Sequence, residues 1–226
     1  MVKLNRHLSQ LENYIGESLD YVGKNYRSYD PGNYLYRMLL SKSTPLEKFS
    51  DEHLELLYVT LAAWGMRTRG AKLTEFNVFK NSILSYEDGI RECEKLRIEN
   101  LNLDDTAPIL ETLKIFYDDL LIVPEGKPKF VAFAKTMHFL LPGIFVPMDR
   151  TYTLGYFLGR TNLNGDLESH FQLYSKIYLE FAAFAVKHKE LSKFLDDNWN
   201  QNIPKIMDNI IIGHVNLQKQ DASRNA

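Results

Sequence analysis

Leu4, Leu8, Leu11, Ile15, Leu19 and Val22 recur at steps of three and four residues, the stripe that an amphipathic helix turns toward a core. Tyr29-Asp30-Pro31-Gly32 interrupts it with residues that favour turns. A short helix over 34–40 follows. Ser50 then reads as an N-cap, because Asp51 and Glu52 put negative charge into a first helical turn. That helix carries Leu54, Leu57, Leu61 and Trp64 on one face and stops at Gly65. Three more are expected over 73–84, 86–97 and 106–121, the last with Asp104 or Asp105 as its cap.

The second half repeats the style. Pro128 suits the first turn of a helix running to Leu141. Asp149 is placed to cap a helix over 150–158, and Gly159 to end it. Asp166 opens a long aromatic helix to Lys187, and helices over 190–199 and 204–212 close the chain. Period-two alternation is confined to 144–146 and 210–212. The predicted class is therefore all-α, a bundle of about ten helices forming one domain over 1–213. The polar stretch and connection within 99–128 mark a candidate boundary between two closely packed lobes. Residues 214–226 are expected to be a polar, frayed tail.

Composition narrows the picture. With 45% hydrophobic and 25% charged residues in 226, the chain can bury one sizeable core and is not of the disordered class. The net charge of −2 means that any nucleic-acid surface must be a local basic patch. The single cysteine, Cys93, excludes an intramolecular disulfide and a cysteine-based zinc site, and a half-buried helix position explains it. No apolar stretch follows the charged segment Met1–His7, and no run approaches the roughly 18 residues of a span. The expected location is cytoplasmic, away from membranes. The six histidines show no metal-binding spacing, and neither a Walker motif, a GxGxxG turn nor a GxSxG elbow occurs. No metal and no cofactor is expected.

Three places carry candidate chemistry. Lys135 and His138 interrupt the apolar run from Phe130 to Leu141, and the turn between Pro142 and Pro147 leads to Asp149 and Arg150. Asp149 could reach Lys135 or His138 across that hairpin, a lysine–carboxylate pair suited to nucleophilic or acid–base work. The plainer alternative has Asp149 capping its helix while the Lys135 stem lies along apolar surface with its amine in water. The second place is Arg67, Arg69 and Lys72 among Gly65 and Gly70, a loop suited to phosphate or carboxylate. The third is Lys127 and Lys129 around Pro128, two cations at a helix start that would attract an anion.

Leu56–Trp64 is an apolar helix leading into a polar loop. Val123-Pro124-Glu125-Gly126-Lys127-Pro128-Lys129 is similar to an LPGVGxK hairpin, and Val146-Pro147-Met148-Asp149-Arg150-Thr151 is similar to a P-V-D-x-H segment. In this order of elements, over about residues 50–190, the chain resembles the helix-hairpin-helix DNA glycosylase superfamily. Glu125 and Pro128 stand where that hairpin has its first glycine and its lysine. The resemblance implies a DNA partner, Asp149 as the catalytic carboxylate, and Lys129 or Lys127 as the lysine. With Lys135 kept as a catalytic candidate, the implied DNA-binding face comprises Arg67, Arg69, Lys72, Lys127 and Arg150. The alternative is a non-catalytic helical protein that binds a protein partner.

Overall fold

The computed structural model describes residues 3–25, 30–44, 47–66 and 72–224. They form ten α-helices joined by short 3-10 and π turns, with no strand among the described residues. The helices are α1 (Ile15–Lys24), α2 (Pro31–Ser41), α3 (Asp51–Leu61), α4 (Phe76–Leu84) and α5 (Glu87–Cys93), then α6 (Ala107–Asp119), α7 (Phe130–Leu140), α8 (Gly155–Leu158), α9 (Leu167–Lys187) and α10 (Ile203–Arg224). No helix among the described residues is long and apolar enough to cross a membrane.

Several helix starts form for the reason the sequence suggests. Ser50 Oγ accepts from the His53 N–H at 3.2 Å, and Asp166 Oδ1 accepts from the Ser169 N–H at 2.8 Å. Asp149 Oδ1 takes two donors, the N–H groups of Tyr152 at 2.7 Å and Thr153 at 3.3 Å. Asp30, read above as part of a breaker, caps α2 by accepting from the Asn33 N–H at 3.0 Å. Each cap satisfies backbone donors that the first turn leaves open.

Other expectations need correction. The N-terminal stripe is not one helix: Leu8–Tyr14 tightens into a 3-10 turn before α1. Leu8 and Leu11, both buried there, are spaced by three and therefore eclipse in that geometry. Pro128 lies outside its helix, which starts at Phe130. The larger correction is C-terminal. Gly213 does not end a helix; α10 continues through it to Arg224, so the expected frayed tail is helical. Gly213 is where α10 meets α1, its backbone lying against that of Ser18. The contact buries the near side of residues that look merely polar in sequence.

The centre of the molecule is α7, with ten of its eleven residues buried and α2, α3 and α9 packed around it. Apolar side chains from Leu4 to Ile211 join one contiguous cluster, with Ile109, Leu113, Tyr117 and Ile122 contributed from within 99–128.

His138, a candidate by sequence, is a core residue with both nitrogens matched. Nδ1–H donates to the Phe145 carbonyl at 2.6 Å. Nε2 accepts from the Tyr36 hydroxyl at 2.7 Å, and that hydroxyl accepts from Asn202 Nδ2 at 2.8 Å. This chain of bonds needs the neutral imidazole, and burial pushes the His138 pKa down to about 3. His53 is pushed down in the same way, to about 4. The unfolded chain takes up these protons near pH 6.5 and the folded chain only well below it. Stability is therefore complete above pH 6.5 and falls with acidification, by about 1.4 kcal/mol per pH unit for each such histidine. Denaturant melts at pH 7 and pH 5 should differ by about 2 kcal/mol from His138 alone. His138→Gln, which can keep both hydrogen bonds, should remove that share of the slope; an unchanged slope would refute the assignment.

Candidate functional site

A cavity of about 370 Å³ opens where the start of α2, the turn after α3, α7, the segment before α8 and the first turns of α10 converge. Asp149 and Lys135 both line it. So do Trp64, at the head of the candidate loop, and Trp199, Lys205 and Asp208, which the sequence does not single out as site residues.

Trp64 forms one wall and is fixed from three directions. Its Nε1–H donates to the Gly32 carbonyl at 3.0 Å, and a Cβ added at Gly32 would stand 3.2 Å from its Cδ1. Its carbonyl accepts from Lys135 Nζ at 2.8 Å. The ring packs edge-on against Phe139, with centroids 4.8 Å apart. Gly65 follows with φ +88°, a left-handed conformation that glycine adopts without strain. The turn stands directly after the Trp64 carbonyl that Lys135 holds.

Trp199 meets Trp64 edge to face at 6.2 Å. Lys205 holds the two together: its Nζ lies 4.6 Å from the Trp199 centroid and 5.4 Å from that of Trp64, the arrangement of a cation on aromatic faces. Lys205 is only 2% exposed. It donates to Asp208 Oδ2 at 2.6 Å and to Asn209 Oδ1 at 2.9 Å. Asn209 Nδ2 in turn donates to the Trp199 carbonyl at 3.2 Å. Burial raises the Asp208 pKa, the Asp149 charge raises it further, and Lys205 opposes both. The two carboxylates thus sense each other across the cavity.

Asp149 is half-buried. The two backbone donors on Oδ1 orient its carboxyl group, while its own N–H donates to Thr153 Oγ1 at 3.0 Å. The helix-cap reading of Asp149 and its place in a cleft beside Lys135 hold at the same time.

Other candidates lie elsewhere. Lys129 is 7% exposed and donates to the carbonyls of Asp118 at 2.9 Å and Leu120 at 3.3 Å, with the Tyr117 ring at 5.3 Å. It caps the end of α6, and burial pushes its pKa down. The Asp149–Lys129 pairing implied by the resemblance is not assembled: neither Lys127 nor Lys129 lines the cavity. Lys127 is exposed in the turn before α7, and Lys72 is exposed before α4. Arg150, half-buried, follows Asp149 at the start of its turn. Arg67 and Arg69 lie outside the described residues, although Gly65, shortly before them, lines the cavity. No group of three or more histidine, cysteine or acidic side chains suited to a metal occurs among the described residues.

The missed residues carried a signal. Lys205 and Asp208 interrupt the apolar run Ile203 to Ile212 just as Lys135 and His138 interrupt α7. Their spacing of three puts both on one helix face. Comparison of the chain with protein-family models, with curated proteins and with solved structures gives no match.

Proposed function

We propose that the chain binds DNA and receives one extruded base in the Trp64–Trp199 cavity, where Asp149 assists cleavage of the N-glycosidic bond. The observation that carries this reading is the meeting of an oriented carboxylate, Asp149, with two tryptophans in a cavity of about 370 Å³, at the lower end of the range for ligand pockets. Aromatic walls suit a flat, turned-out base. When the glycosidic bond breaks, its electron pair leaves with the base nitrogen and positive charge develops on the sugar. Asp149 would stabilise that charge and take the proton of the water that adds at C1′. Three carboxylates, Asp30, Asp149 and Asp208, against two lysines line the cavity among the described residues. That balance favours a developing cation. Lys135 serves this reading by holding the Trp64 backbone. The similarity to helix-hairpin-helix glycosylases noted in the sequence is consistent with the proposal.

A panel of duplexes carrying deaminated, oxidised or alkylated bases, scored for strand cleavage after alkali, tests it. Asp149→Asn keeps a good N-cap and should lower the excision rate by about a hundredfold or more while duplex affinity stays unchanged. Absence of duplex binding by the wild type at low salt would sink the reading. The second reading, a non-catalytic interaction protein, draws on the internal pairing of Lys205 with Asp208 at 2.6 Å. Failure to bind any duplex of the panel at low salt, with Asp149→Asn costing stability alone, would favour it.

A further inference from the structure

Of the described cations assigned to a DNA face, neither Lys72 nor Lys127 lines the cavity, whereas Arg150 heads the turn that carries Tyr152. Tyr152 lines the cavity, and Lys219 of α10 holds its Nζ 5.6 Å from the Tyr152 ring centroid. Four residues on, Tyr156 carries the Arg6 guanidinium at 5.6 Å from its centroid. Arg6 Nη1 donates to Gln218 Oε1, the residue beside Lys219. Arg150, at the head of the same turn, places its charge within reach of His170. Lys219 and Arg6 are exposed and Arg150 is half-buried. None of the three forms an ion pair among the described residues, whereas Lys48, Lys80, Arg91, Lys114 and Lys187 do. Glu180, whose charge reaches Tyr156, is engaged by His7 at 2.9 Å.

We infer that Arg150, Lys219 and Arg6 form a phosphate-binding strip that leads a DNA strand along the second half of α10 to the cavity mouth. This rests on the DNA reading above. Tyr152 and Tyr156 are one helical turn apart, about 6 Å along the axis. Successive phosphates can match such a step when the stacking rise of roughly 3.4 Å is opened by extrusion of the intervening base. The tyrosine faces hold the two outer cations in place, so little side-chain freedom is lost on binding. Helical order to Arg224 is what makes the strip: a frayed tail could not set Lys219 over Tyr152.

The test is the salt dependence of duplex affinity for the full chain, read by anisotropy of a labelled duplex between about 50 and 200 mM salt. Lys219→Ala, Arg6→Ala and Arg150→Ala should each reduce the slope of log K against log[salt] by about 0.9, one phosphate contact. Lys219→Arg should retain it, and Lys80→Ala on α4 should leave it unchanged. Thermal midpoints equal to wild type confirm that each variant is folded. If the three slopes match wild type, the strip is overturned; reduced slopes in Lys72→Ala or Lys127→Ala would then place the DNA face elsewhere, and the DNA reading stands. If the wild type fails to bind at 50 mM, both inferences fall together.

Discussion

Gly213→Ala is expected to lower the unfolding free energy by about 3 kcal/mol or more, at the upper end for overpacking, and the melting midpoint by roughly 6–12 °C. A Cβ at this position would lie 2.1 Å from the Ser18 carbonyl oxygen, 2.6 Å from its carbon and 2.8 Å from its Cα. All three are backbone atoms of α1, so no rotamer change relieves the overlap. The two helices must separate, and the packing of α1 along α10 is loosened. The same helix supplies its own control. A Cβ at Gly16 or Gly23 meets nothing within 4 Å, so Gly16→Ala and Gly23→Ala should stabilise by about 0.4–1 kcal/mol. Circular-dichroism melts of the three variants decide the matter. Equal behaviour at the three positions would mean that α1 and α10 do not cross in close contact.

Lys205→Ala should cost about 3–5 kcal/mol, the usual penalty for leaving one member of a buried ion pair alone. Asp208 would remain 5% exposed, facing the Asp149 charge without its partner, while Trp64 and Trp199 would lose the ammonium that both contact. Asp208→Ala should be comparably damaging, because it strands Lys205. The double variant Lys205→Met/Asp208→Leu removes both charges and keeps volume, so it should be less destabilised than either single change. Denaturant titrations of the wild type, Lys205→Met, Asp208→Leu and the double variant form the cycle. Simple additivity would show that the two side chains contribute independently.

How much of this was legible in the sequence follows from the range of the interactions involved. The all-α class, the caps at Ser50, Asp149 and Asp166, and the central place of the Phe130–Leu140 segment rest on local periodicity and capping chemistry, which one stretch of chain contains. Lys135 was visible because a charge within an apolar run has to be accommodated. Lys205 and Asp208 meet the same criterion, but a helix expected over 204–212 alone is short, and nothing in it shows which neighbours surround these charges. The role of Gly213 depends on Ser18, almost the whole chain away, and no local pattern encodes that approach. Lys129 misled for a related reason. Two lysines at a helix start suggest an anion site, yet the carbonyls that satisfy Lys129 belong to the end of the previous helix. The cavity itself draws on five separated segments, so its existence is a property of the packing.

One consequence of that packing is experimental. The chain contains two tryptophans, and both line the same cavity within 6.2 Å of each other. All of the indole emission of the protein therefore originates beside Asp149, under the influence of two lysine charges. Any molecule that enters will change the polarity or stacking around both fluorophores at once. The protein carries its own optical probe at the candidate site, and occupancy can be titrated without a label.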